Sequence, residues 1–145
     1  MIKQFILAMA ICLSFTSFAQ DSTMQANSEV AIVKVYRGGQ FFGSALNYSI
    51  FANGEKICKL SNNKYIEFEV PVGSVEINAL RGGVEVFKRK TGVMLETEAG
   101  GTYYIKCDVK SSITRTRLEL SEVTKSTANR DMVDMERDNC QLADN

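Results

Sequence analysis

The sequence predicts an all-β protein, an antiparallel sandwich of short strands with one short helix near its C-terminus. Three observations carry this. Runs rich in Val, Ile, Tyr and Phe recur through the middle of the chain, turn residues separate them, and no helical pattern alternates with them. A sheet packed on a second sheet is the simplest way for such runs to bury their apolar faces.

The N-terminal segment stands apart from that fold. Met1, Ile2 and Lys3 precede an apolar run from Phe5 to Leu13, and Ser17 and Ala19 place small residues ahead of Gln20. This is the pattern of a secretory signal peptide over residues 1–19, with an apolar stretch too short to span a bilayer. Cys12 follows Met9-Ala10-Ile11 inside the apolar run, which does not make a lipoprotein signal. The expected location is therefore extracytoplasmic, periplasmic or secreted, after cleavage near Ala19. No other long apolar run occurs, so no transmembrane segment is expected in the mature chain.

Residues 20–29 are polar and without periodicity, and read as a flexible leader. Val30 to Tyr36 is dense in β-branched and aromatic residues, as in a strand covered on both sides. Arg37 to Ser44, with Gly38, Gly39 and Gly43, reads as a loop. Asn53-Gly54 within Leu46 to Leu60 predicts a hairpin closed by a type I′ turn, because both central positions need positive φ. An unbroken ladder from that turn places Ile50 opposite Ile57 and Cys58 opposite Ser49, with Cys58 sharing its side with Phe51 and Leu60.

Ile66, Phe68 and Val70 alternate with Glu67 and Glu69, and after Pro71-Val72-Gly73 the residues Val75, Ile77 and Ala79 alternate with Glu76 and Asn78. This reads as a second hairpin with one buried face. Val84 to Phe87 and Val93 to Thr97 are two further strands, separated by Lys88-Arg89-Lys90 and Gly92. After the Gly100-Gly101 turn, alternation puts Tyr103, Ile105, Cys107 and Val109 on an inner face and Tyr104, Lys106 and Asp108 on an outer one. Leu118, Leu120 and Val123 mark a last strand. The β domain thus spans 30–123, with about seven to nine strands in an immunoglobulin-like or transthyretin-like arrangement. In the tail, 124–145, Ala128, Met132, Met135 and Leu142 fall near one helical face and predict a short helix.

Tyr36-Arg37, Phe42-Gly43-Ser44, Tyr48, Asn53-Gly54, Leu60, Tyr65, Val70-Pro71-Val72-Gly73 and Gly101-Thr102-Tyr103-Tyr104 occur in an order and spacing that resembles the bacterial domain-of-unknown-function 2846 family. The similarity covers roughly Val30 to Val123. It implies an extracytoplasmic β-sandwich of the kind often found on lipid-anchored envelope proteins, with no established activity and no catalytic residues to carry over.

The residues that could do chemistry are few. The chain holds 17 basic and 17 acidic residues and no histidine, a balance that attracts neither nucleic acid nor a membrane surface. Cleavage would leave Cys58, Cys107 and Cys140. An oxidising compartment favours a disulfide, with Cys58 to Cys107, a bond from either one to Cys140, and three separate thiols all open. A nucleophilic cysteine needs a base, and Lys59 and Lys106, adjacent to their cysteines, point to the other side of the strand. Without Cys-x-x-Cys or imidazole no zinc site is expected, and Asp131, Asp134, Glu136 and Asp138 lack the spacing of a calcium loop. No metal and no cofactor is expected.

Gly38-Gly39 and Gly82-Gly83 read as turns rather than phosphate cradles. Asn47-Tyr48-Ser49 fits a glycosylation pattern but sits inside a predicted strand. Glu67 and Glu69 share one strand face and would form a hydrolytic pair only in a cleft; on an outer face they are solvated. Arg81, Lys88, Arg89, Lys90, Arg115 and Arg117 form a modest basic set at strand edges. Phe41 and Phe42 cannot both point inward from an extended loop. With Tyr48 and Tyr104 they are the candidate contacts for a ligand or partner. The expected function is a non-enzymatic module of the bacterial cell envelope that touches another envelope protein or cell-wall glycan. A glycan- or small-ligand-binding domain and an envelope hydrolase are the alternatives.

Overall fold

A computed structural model describes residues 29–41, 44–81, 92–111 and 116–140. The expected signal peptide, Phe42, the expected strand Val84–Phe87, Lys88 to Lys90, Arg115 and Leu142 lie outside the described residues. The described chain runs β1 (Val30–Arg37), β2 (Tyr48–Ala52), β3 (Glu55–Leu60), β4 (Lys64–Pro71), β5 (Gly73–Arg81), β6 (Val93–Thr97), β7 (Thr102–Ser111), β8 (Thr116–Val123), α1 (Lys125–Asp131) and β9 (Glu136–Arg137). The strands form a five-stranded sheet, β8-β7-β1-β4-β9, and a four-stranded sheet, β3-β2-β5-β6. The all-β sandwich that alternation predicts is the observed fold.

Each strand explains its place by its pattern. β1 is central in the first sheet, antiparallel to β4 and parallel to β7, so both of its edges are paired. Val33 and Val35 enter the core between the sheets, while Tyr36 packs on the outer face. The core also takes Ile66 and Val70 from β4, Ile105 and Cys107 from β7, and Ile50, Leu60, Val75, Ile77 and Leu95 from the second sheet. At about 25 cal/mol per Å² of apolar surface removed from water, this shared core is the main source of stability.

Two features of register depart from the sequence reading. Asn53 (φ 49°) and Gly54 (φ 82°) make the expected turn, but a bulge shifts the ladder after Ala52↔Glu55 and Phe51↔Lys56. Ile50 therefore faces Cys58 rather than Ile57, and Ser49 faces Lys59. The extra residue lets Ile50, Cys58 and Leu60 all enter the core, and half-buried Phe51 falls on the opposite side from Cys58.

The second departure is at Pro71-Val72-Gly73. The strands on either side are not a hairpin: β4 pairs with β1 and β5 with β2 and β6, so the chain turns a corner from one sheet to the other. Alternation alone cannot separate the two, because either arrangement sends Ile66, Val70, Val75 and Ile77 into the same core. The corner is held by Thr97, whose hydroxyl donates toward the Pro71 carbonyl at 2.8 Å and the Gly73 carbonyl at 2.9 Å.

The tail is a strap over the first sheet. Thr124 caps α1, its Oγ1 accepting from the Thr127 backbone N–H at 3.4 Å. Ala128 is buried, and Met132 and Met135 pack with it on Tyr36, Tyr65 and Tyr104. The strap then pairs β9 parallel to β4 for two residues, and the Asp138 backbone N–H donates to the Tyr65 carbonyl at 2.8 Å. It ends at Cys140, which is bonded to Cys58 of β3 across a sequence separation of 82.

Candidate functional site

Two groups of polar and aromatic side chains stand out from the core, at one end of the sandwich and under the strap. The end group begins with Arg37. The alternation that sends Val33 and Val35 inward also sends Arg37 inward, and it is 0 % exposed. Its Nη1 donates to the Leu46 carbonyl, and its guanidinium carbon sits 4.9 Å from the centroid of the Tyr48 ring, a cation–π contact. Arg37 thus fastens the end of β1 to the start of β2.

The connection after Arg37 is fixed on two further sides. The Gln40 backbone N–H donates to Asn62 Oδ1 at 3.1 Å, and Asn62 Nδ2 donates back to the Gln40 carbonyl at 3.3 Å. Gln40 Nε2 donates to the Val109 carbonyl of β7, also at 3.3 Å. The loop is therefore tied to the β3–β4 turn and to β7 of the first sheet, and next in sequence comes Phe41, 89 % exposed.

The group under the strap lies on the outer face of the first sheet, where register sets Tyr65, Tyr36, Lys106 and Ser121 in one row and Glu67, Lys34, Tyr104 and Val123 in another. Asp131, the last residue of α1, accepts from Tyr36 Oη at 3.0 Å and from Lys106 Nζ at 3.0 Å. The Lys106 bond, then the Tyr36 bond, hold the Asp131 carboxyl below its ordinary range against the opposing effect of burial. Burial first, and the bond to Asp131 second, push the Tyr36 phenol well above its ordinary value. Lys34 and Glu67 form a 2.7 Å pair whose hydrogen bond raises the lysine and lowers the carboxyl.

The predicted contact residues do not form one site. Phe41 is exposed at the sandwich end, and Phe42 lies outside the described residues. Tyr48 is only 3 % exposed, because its ring is the platform for Arg37, so it is not a surface contact. Tyr104 is on the outer face as alternation requires, yet 8 % exposed, because α1 covers it. The Cys58 to Cys107 pairing is corrected: Cys58 bonds Cys140, and Cys107 is the buried free thiol. Cys107 lies on β7 in the first sheet and Cys58 on β3 at the far edge of the second, where the strap delivers Cys140.

Sequence reasoning missed Arg37, Gln40 and Asn62 at the end, and Tyr36, Lys106 and Asp131 beneath the strap. Arg37 had a signal, its phase with Val33 and Val35. The others meet across separations in sequence of 22 to 95 residues and had none.

Chemically, the groups bind and brace. Burial pushes the Cys107 thiol up to about 12, so it is protonated at neutral pH and is a poor nucleophile. Among the described residues, no group of three or more His, Cys, Asp or Glu side chains is placed to hold a metal ion. Among them too, no helix is long and apolar enough to cross a membrane.

A family model described as a protein of unknown function, DUF2846, matches residues 27–119. No curated protein and no solved structure matches the chain. The family match stops short of the strap.

Proposed function

The chain belongs to the DUF2846 family, and from that premise we propose that it is a non-enzymatic extracytoplasmic module of the bacterial cell envelope that docks another envelope protein through its loop end. The observation that carries this is Phe41, 89 % exposed beside Gln40, whose backbone is fixed to Asn62 and whose side chain donates to the Val109 carbonyl. An aromatic side chain next to a residue that is already held in place binds without the full ordering cost, and such anchors dominate protein interfaces.

Two further facts support the setting. The Cys58–Cys140 disulfide suits an oxidising compartment. The described chain also enters at the end opposite Phe41: Glu29 and Val30 bond Val72 and Gly100 there, whereas Phe41 follows the far end of β1. A strand of this length separates the two ends by roughly 25 Å, so a leader or anchor preceding β1 leaves Phe41 facing away from it.

The test is site-specific photo-crosslinking in cells. A photoreactive residue at position 41 is expected to trap a discrete protein band, and one at position 54, at the other end, is expected to trap none. A band of equal strength from both positions, or binding of the purified protein to cell-wall sacculi that Phe41→Ala removes, sinks the protein-docking reading.

A further inference from the structure

The strap is built like a bound ligand. It touches the first sheet through an acidic, partly extended stretch: Asp131 on Lys106 and Tyr36, Glu136 on Lys64 at 2.5 Å, and β9 added to the edge of β4. Arg137 Nη2 extends the edge contact by donating to the Glu67 carbonyl at 3.2 Å. Adding a strand to a sheet edge is a general mode of peptide recognition, with backbone bonds supplying affinity and side chains supplying choice.

The parts of the strap are weak one by one. α1 has seven residues, too few to persist alone, and β9 has two. The Lys64 to Glu136 pair is largely exposed. Only the bond from Cys140 to Cys58 makes the strap a closed loop, which holds its contacts at high effective concentration. Cys140 is itself held at φ 50°, in the left-handed region that non-glycine residues rarely adopt.

We propose that the strap is an autoinhibitory segment, latched by the Cys58–Cys140 disulfide, over a face that binds an acidic extended segment of another protein once the bond is reduced. The reductant is a dithiol of the oxidoreductase class. One of its thiolates attacks Sγ of Cys140, the half-buried end, and the S–S bond breaks to release the Cys58 thiolate, which takes a proton. The second thiol of the reductant resolves the mixed disulfide, so the protein gains two electrons and two protons and the reductant becomes a disulfide. The freed strap leaves Tyr36, Tyr65 and Tyr104 beside Lys64 and Lys106, with the β4 edge at Lys64 and Tyr65 open. The partner replaces what the strap supplied: carboxylates for the two lysines, apolar side chains for the tyrosines, and a parallel strand for the edge.

The experiment uses the full mature chain and a fluorescent peptide carrying residues 124–139 of this sequence. Anisotropy is read with the protein oxidised and with it reduced by dithiothreitol. Reduction is expected to tighten binding by roughly tenfold or more, as removal of a tethered competitor should. Lys64→Glu is expected to cancel that gain, and a peptide with its acidic residues changed to Lys is expected not to bind. Hydrogen exchange on the same samples should show the Ala128 and Asp138 amides losing protection on reduction while β1 and β7 keep theirs. Equal binding in both redox states, retained protection of the strap, self-association in place of peptide binding, or loss of protection throughout the sandwich would each overturn the proposal.

Discussion

Replacing Asp131 by Ala tests whether the strap is held by a specific polar latch or only by its apolar face. The carboxylate accepts from Tyr36 Oη and Lys106 Nζ, both at 3.0 Å. Tyr36 is 0 % exposed, so its hydroxyl loses an acceptor in a place water reaches poorly, a loss of about 1–3 kcal/mol. Lys106 is roughly one-third exposed and regains water, so its share is at most about 1 kcal/mol. Against these stands a gain: Asp131 sits at the C-terminal end of α1, where the helix dipole opposes a carboxylate by about 0.3–1 kcal/mol. The net expectation is a destabilisation of about 2 kcal/mol. In urea unfolding of the oxidised chain, that lowers the midpoint by about 1 M for a slope near 2 kcal/mol per M. A double-mutant cycle with Tyr36→Phe should return a coupling of about 1 kcal/mol. A coupling indistinguishable from zero refutes the latch, whatever the single variants do.

The same pair sets a pH dependence. The folded-state pKa of Asp131 is depressed, so its contribution is present above the unfolded value of about 4 and is lost as pH falls through the folded one. That of Tyr36 is raised, so its contribution is present below about 10 and is lost as pH rises. Urea midpoints between pH 2 and 11 should therefore fall at both ends, and Asp131→Ala should flatten the acid limb; an unchanged acid limb in the variant contradicts the assignment. At the hairpin, Asn53→Ala is expected to cost about 1–2 kcal/mol, because Ala tolerates φ 49° poorly and Asn53 Oδ1 accepts from the Glu76 N–H at 2.9 Å. Thermal unfolding reads this directly, and an unaltered melting temperature counts against it. Cys107 should resist iodoacetamide in the native oxidised protein at pH 8 and react once the chain is unfolded, given its burial and a pKa pushed up to about 12. Rapid native alkylation would mean that β7 opens or that the thiol is not in the core.

Much of the fold was written in local pattern. Period-two alternation assigned the inward faces of β4, β5 and β7, and Asn53-Gly54 assigned its turn, because both depend on residues near one another in the chain. The bulge in β3 was not readable because the Asn53-Gly54 turn carries no signal of the extra residue that brings Ile50 and Cys58 onto one face, and the corner at Pro71-Val72-Gly73 was not readable because it is a choice between pairings that bury the same side chains. Exposure followed the same division. Alternation told which way Tyr104 points, but not that a distant helix covers it, and Tyr48, expected as a surface contact, is instead buried against Arg37.

The cysteines show most sharply where local pattern ends. The sequence by itself determined an all-β chain, the inward direction of Cys107, and the family. Only the tertiary structure decided that Cys58 meets Cys140, because that choice depends on the strap crossing the first sheet and returning along β4. The physical reason is range. Strand faces and turns are fixed by sterics over a few residues, whereas a disulfide partner, a buried arginine's ring and a covered tyrosine are fixed by which surfaces the whole chain brings together.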